Sequence, residues 1–445
     1  MRSRLKRSAL PIGILAAAGL LITGCTTATG GGGGGGETGG GGETGGAGDG
    51  VVTIYGTIAD TEAQLLEESF LPFEEATGID VQYESSKEFE SQIGIRAQGG
   101  NPPDVAIFPQ PGLFADLASR GFLKPAPQGV ADNVAEYWSE DWAGYGTVDG
   151  TLYGAPLMAS VKGFIWYQPA VFKELGIEVP GTWDELLDAT QKIREATGKA
   201  PWCAGFGSGD ATGWPGTDWV EDLVLRQSGP EVYDQWVANE VKFTDQPIKE
   251  AFDAVGTILL DPQLVNAGFG DVLSINSTEF GDPAAALVSG ECALHHQASF
   301  FDGFVSDAGG AVAPDGDVWA FIMPGLKAGS NAVTGGGEIV GAFNDDADTV
   351  AFLEYLSSPE WANTRVELGG VVSANKGLDP SLASSGILEQ AIAILQDPAT
   401  TFRFDASDLM PGAVGAGSFW KGMVAWVGGT PVDEVLQQIQ SAWPS

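Results

Sequence analysis

Two histidines, three cysteines and 59 carboxylates are what this 445-residue chain could bring to catalysis. The carboxylates are so frequent that pairs among Asp210, Asp218, Glu221 and Asp222, or between Asp405 and Asp408, are no better glycosidase candidates than many others. His295 and His296 are adjacent, so on a strand they point to opposite faces and cannot easily share a metal. No HExxH or CxxC spacing supports a metal either. Gly207-Ser208-Gly209 lacks the G-x-S-x-G spacing of a nucleophile elbow, and no Walker lysine follows the glycine runs between positions 30 and 46. The chain therefore reads as a non-enzyme, with no catalytic residue, metal or cofactor.

What it offers instead is aromatic surface beside short polar groups. The apolar face of a pyranose stacks on an indole or phenyl ring, and its hydroxyls need oriented donors and acceptors. The stretch APWCAGFGSGDATGWPGTDWVEDL (200–223) sets Trp202, Trp214 and Trp219 among glycines and acids. Trp214, Asp218 and Trp219 are its candidate ligand contacts, while Trp202 is expected to pack on a disulfide at Cys203. Any of the 13 tryptophans could equally serve a core. Lys162, after Ser160 in ASVKG, lies in an otherwise apolar strand, where a lysine is costly unless it is paired or faces a cleft.

The elements that must position these residues alternate. VVTIYGTI (51–58) reads as a strand, 60–78 as a helix, 79–85 as a strand, 89–100 as a helix and 103–111 as a strand. This alternation predicts an α/β fold with a parallel, doubly wound sheet. Ligands of such sheets sit beyond the carboxyl ends of the strands, which adds Asp60, Glu62, Ser86, Glu88 and Gln110 to the candidates. Further on, 153–158 is extended, 160–167 a strand, 169–175 a short helix, and Thr182 caps the helix beginning at Trp183.

The ends of the chain and its charge narrow the function. Arg2, Arg4, Lys6 and Arg7 lead into an apolar run from Ile12 to Ile22 that is too short to span a bilayer. Ile22-Thr23-Gly24-Cys25 is similar to a bacterial lipobox, so residues 1–25 are expected to be a lipoprotein signal, with Cys25 lipidated at the outer face of the cytoplasmic membrane. An ordinary secretory peptide is the alternative. Residues 26–50 are a Gly-rich tether with a reach of about 25–30 Å. The formal charge of −38 becomes −42 once Arg2, Arg4, Lys6 and Arg7 are removed with the signal, and such a field repels nucleic acid, anionic lipid and acidic substrates. With Cys25 lipidated, Cys203 and Cys292 are the pair left in an oxidising compartment and are expected to form a disulfide. Closing that loop of about 90 residues contributes ~4–5 kcal/mol in the chain-entropy model.

The passage VDGTLYGAPLMASVKGFIWYQPAVFKELGIEVPGTWDELL (148–187) resembles the extracellular solute-binding proteins of sugar-importing ABC transporters. The resemblance continues through 200–223, ALHHQASFF (293–301), the glycines 335–337 and FRFDASDLMPGAVGAGSFWKGMVAWVGG (402–429), and is strongest to the α-glucoside branch. It implies a two-lobed fold of the periplasmic-binding-protein type II, each lobe a sheet flanked by helices. The hinge would be crossed near 154–158, 333–337 and 371–376, with 51–157 and 335–373 in the first lobe and 158–334 and 374–445 in the second. Gly336 and Gly337 would sit at the hinge, where glycine absorbs backbone rotation and permits close approach. The resemblance also places Asp405, Ser407 and Asp408 in the cleft, although the same residues could simply cap the next turn. Gln297, Ser299 and Phe300 follow Cys292 and would be drawn to the site by the disulfide. The implied function is a lipid-anchored monomer that captures a neutral α-glucoside and passes it to a membrane permease. A surface glycoside hydrolase, or a binder of a non-sugar or sugar-derived compatible solute, is the alternative.

Overall fold

The computed structural model describes residues 48–266, 268–397 and 399–444; Cys25, the signal and most of the tether lie outside the described residues. The expected alternation is present. Strands Val51–Gly56, Asp80–Ser85 and Val105–Phe108 run parallel, with Ile54 opposite both Tyr83 and Val105. The single helix expected over 60–78 is two, Asp60–Glu68 and Leu71–Thr77. Ser69 folds its hydroxyl back onto the Leu66 carbonyl and Pro72 starts the second helix, a position where its missing N–H costs nothing.

The sheet is mixed rather than purely parallel. Strand Ala332–Ala342 runs antiparallel to Val105–Phe108 and to Gly154–Val161, and parallel to Thr401–Phe404, giving six strands. A second sheet of three antiparallel strands, Leu294–Gln297, Phe164–Tyr167 and Trp319–Ile322, forms the other lobe's centre. The strand expected over 160–167 is broken at Gly163, whose φ of +76° suits glycine. Helix Trp183–Thr197 opens with the Thr182–Glu185 capping box, in which the Thr182 hydroxyl accepts from the Glu185 N–H and the Glu185 carboxylate from that of Thr182.

Three chain segments meet between the two sheets. Ala159 pairs with Gly337 on one side and with Val372 on the other, its N–H donating to the Val372 carbonyl at 2.8 Å. Gly336 and Gly337 are in extended strand, not in a left-handed conformation. A Cβ on Gly337 would collide with the Met158 carbonyl, and one on Gly336 would meet Lys162 Cε at 3.2 Å. Close approach, more than backbone rotation, accounts for them in this state. The register shifts between Gly337 and Ile339. There Leu157 and Met158 together face the single residue Glu338, a bulge in strand Gly154–Val161.

Cys203 and Cys292 form a disulfide with Cα atoms 5.8 Å apart. It joins the segment entering helix Trp214–Val237 to the strand carrying His295 and His296. Among the described residues no helix is long and apolar enough to cross a membrane.

Candidate functional site

A cleft of about 520 Å³ opens between the two sheets, within the range of small-solute pockets. From the six-stranded side come Asp60, Glu62, Gln110 and Ser160; Asp60 sits at the carboxyl end of the first strand in a left-handed conformation, φ +54°. From the other side come Lys162, Trp214 and Phe300, with Asp405, Ser407 and Asp408 on the turn after strand Thr401–Phe404 and Gly336 and Gly337 between.

Lys162 is the centre of a buried network. Its ammonium donates to Asp218 at 2.9 Å and to Asp405, and all three side chains are closed to solvent. Burial works against the Lys162 charge, but Asp218 and Asp405 outweigh it and hold the ammonium protonated. The Asp405 carboxylate also accepts from the Ser407 hydroxyl at 2.7 Å and the Asp408 N–H at 3.0 Å, so it caps its turn and pairs with lysine at once. Burial alone would raise it; the Lys162 charge and side-chain hydrogen bonds with Glu221, Lys162 and Asp218 bring it down to about 2. Asp218, sharing the same lysine, moves the other way under burial and the Asp405 charge. Asp405 is thus the anion of the pair, and Asp218 the partner that takes a proton first. Glu221 lies beside them, accepting from the Ala406 and Ser407 N–H groups at 2.8 and 3.1 Å. Asp218, Glu221 and Asp405 offer oxygens close enough to hold a cation, and the Lys162 ammonium occupies that role.

Helical spacing divides the opening stretch. Trp214 and Asp218 are four apart on helix Trp214–Val237 and share its cleft face. The Lys162 ammonium lies 5.3 Å from the Trp214 ring centroid. Phe280 and Phe300 stand 5.3 and 6.2 Å from Trp214, completing an aromatic wall. Trp219, one residue on, turns into the core, where it is 2% exposed and packs on Trp202 at 5.1 Å and His296 at 4.5 Å. Trp202 itself meets Trp219 edge to face and donates to the Thr190 hydroxyl, a partner that the expected packing on the disulfide leaves out.

Six of the sequence candidates do not line the cleft. Asp218 acts from behind Lys162, and Trp219 is in the core. Gln297 is buried, with its side-chain oxygen taken by the Ala298 N–H. Ser299 receives the Val161 N–H at 3.2 Å and so braces the end of the strand that leads into Lys162. Ser86 and Glu88 are spent on a turn, the Ser86 hydroxyl accepting from the Glu88 N–H; their neighbours Lys87 and Glu90 reach the cleft instead. His295 and His296 do face apart: His295 bonds the Cys203 carbonyl, and burial holds it down at about 3, while His296 pairs with Asp222 at 2.7 Å.

Several lining residues were missed in the sequence, among them Phe280, Glu338 and Arg365. Glu338 follows the three glycines, so the glycine run was a pointer to it. Arg365 is 1% exposed on helix Pro359–Glu367. Burial pushes Arg365 down to about 10 against the pull of Glu62 and Glu338, and pushes each glutamate up to about 7 against the pull of Arg365. Both glutamates keep part of their surface open to the cleft.

At the rim the two sides touch. Lys87 pairs with Glu279 at 3.2 Å, and the Ser91 hydroxyl donates to Asp210 at 2.5 Å.

Residues 55–363 match the family model of the bacterial extracellular solute-binding proteins. The alpha-glucosides-binding periplasmic protein of Rhizobium meliloti is 41% identical over 407 residues, covering 88% of this chain and 87% of that one. The osmoprotective compounds-binding protein of Synechocystis sp. is 38% identical over 397 residues, covering 88% and 92%. Among solved structures, a chitin oligosaccharide binding protein superposes with a TM-score of 0.75 at 20% identity, over 88% of this chain and 97% of that one. A binding protein in complex with raffinose gives 0.69 at 18%, over 88% and 98%. These likenesses extend to binding proteins, not to enzymes, and to the two-lobed α/β fold. The chain is a member of the bacterial extracellular solute-binding protein family, the extracytoplasmic capture component of ABC importers.

Proposed function

We propose that this protein captures a neutral sugar, an α-glucoside of two or more rings, between its lobes and delivers it to a membrane permease. The observation that carries the reading is the pairing of an aromatic wall, Trp214, Phe280 and Phe300, with oriented polar groups on Ser160, Lys162, Asp405, Ser407 and Asp408 in one cleft. A pyranose needs an apolar surface for its C–H face and donors and acceptors for its edge. The lining acids outnumber Lys87, Lys162 and Arg365, which disfavours anionic ligands. The name of the Rhizobium relative supports an α-glucoside. Ligand contacts from both lobes would stabilise the closed state over the open one.

Asp60, Glu62, Gln110, Gly336 and Gly337 are proposed as contacts from the first lobe, made of 51–157 and 335–373. The second, 158–334 and 374–445, supplies the aromatic wall and the Lys162 network. Strand Thr401–Phe404, which this division gives to the second lobe, pairs with the six-stranded sheet, so that boundary is the first to test. The mature chain is proposed to begin at lipidated Cys25 and to work as a monomer.

The name of the Synechocystis relative, an osmoprotective compounds-binding protein, favours a second reading, a compatible solute. A thermal-shift screen of residues 50–445 against mono-, di- and oligosaccharides and compatible solutes separates the two, since a ligand at 100 times its Kd adds ~2.7 kcal/mol. Absence of a shift with every α-glucoside would sink the first reading. Metabolic labelling with a fatty-acid analogue, lost on Cys25→Ser, tests the anchor.

A further inference from the structure

Glu62, Glu338 and Arg365 line the cleft, yet among the described residues neither carboxylate forms an ion pair or side-chain hydrogen bond with the guanidinium. Arg365 Nη1 donates to the Gly369 carbonyl at 2.7 Å, Nε is buried without a partner, and Nη2 carries no hydrogen bond among the described residues. Glu338, which lies opposite the extra residue of strand Gly154–Val161, feels the charge of this arginine. A cation and two acceptors lining one cleft thus feel one another's charge without bonding to one another.

We propose that Glu62, Glu338 and Arg365 form an open clamp for a pair of adjacent ligand hydroxyls, and that filling it expels protons, so that the protein grips its ligand more tightly as pH rises. The proposal rests on the sugar reading above. Arg365 can only donate, so it takes the hydroxyl oxygens; the hydroxyl hydrogens then require acceptors, and a carboxyl group accepts best when ionised. A neutral Glu62 or Glu338 must first lose its O–H proton to a buffer base. Both are near half-protonated at neutral pH, pushed up to about 7 by burial against Arg365. The other groups acting on Glu62 are Asp60 on its own helix, Glu338, and Asp307, which enters from the helix Phe301–Asp307. Lys162 acts on Glu338. Tyr83, which feels the charge of both glutamates, is held protonated chiefly by burial and donates to the Ile58 carbonyl, so it takes no part.

The test is calorimetric titration of the wild-type chain with the tightest saccharide of the thermal-shift screen, from about pH 5.5 to about pH 8, in buffers of differing ionisation enthalpy. Affinity should rise by about 30-fold for each proton released, with the release visible as a buffer-dependent heat. Glu62→Gln and Glu338→Gln mimic the protonated acids. Each should hold affinity near its acidic value and flatten the profile, with ligand-free melting confirming the fold. A flat or falling profile in the wild type, or a rising one that survives in the double variant, overturns the clamp while leaving the sugar reading standing. Failure of every saccharide to bind overturns both.

Discussion

Lys162 and Arg365 each stand between two carboxylates in one cleft, but only Lys162 is bonded to them. The Lys162 cluster spends its charges on one another, and its carboxylates are further satisfied by backbone N–H groups and a serine hydroxyl. In the Arg365 cluster the guanidinium bonds the Gly369 carbonyl but neither glutamate, and its Nε is left without a partner. The same charge types therefore do two jobs: bonded, they fix the wall that carries Trp214; unbonded, they are left for whatever fills the cleft. Spacing, not composition, decides which.

The largest test of that contrast is removal of each cation. Lys162→Met strands Asp218 and Asp405 in the interior and should lower unfolding free energy by about 3–5 kcal/mol in urea titration. Arg365→Met forfeits chiefly the bond to Gly369, and its glutamates can protonate, so about 1 kcal/mol is expected. Equal losses would erase the distinction.

The tryptophans sharpen it next. Trp219→Ala should cost about 3–5 kcal/mol as a core truncation. Trp214→Ala should change melting little and instead weaken ligand binding about tenfold or more.

A pH series separates the clusters further. The raised folded values of Glu62 and Glu338 mean that the unfolded chain releases those protons first. Their contribution is full below the ordinary value near 4.5 and is lost as pH rises toward about 7. Asp405, depressed to about 2, behaves oppositely: its contribution is full above the ordinary value near 3.8 and lost only as pH falls through about 2. The ligand-free double variant Glu62→Gln/Glu338→Gln should therefore gain about 1 kcal/mol or more over wild type near neutral pH, after allowance for solvent screening, and nothing near pH 4. The smallest effect belongs to the rim: Lys87→Ala, at a pair about half exposed on both sides, should leave stability within about 1 kcal/mol and speed ligand release modestly in stopped flow.

Much of this was legible in the chain. The opening strand–helix alternation, the Thr182 cap and the Cys203–Cys292 pair follow from local rules. The strand-end rule found Asp60, Glu62 and Gln110, but was off by one or two residues at Ser86 and Glu88, because a tight turn fixes which side chains look inward and turns do not follow strand periodicity. Trp219 could have been set apart from Trp214 by helical spacing alone, since i and i+4 share a face and i+5 does not. Arg365 and Phe280 had no signal: the first sits in an ordinary helix and the second in a loop, and only tertiary contact aims them. The mixed sheet was hidden for the same reason, since Ala332–Ala342 reaches its partners across long stretches of sequence.

Gly335, Gly336 and Gly337 pass so near the Phe402 ring, Lys162 and the Met158 carbonyl that no side chain can be added there without displacing a neighbour. At Gly336 and Gly337 the floor of the cleft is consequently bare backbone. If the cleft is the ligand site, a change of ligand is met more readily at its walls, at positions such as Trp214, Phe280, Glu338 or Arg365, than at its floor. Diversity of taste on a constant base is what this arrangement permits.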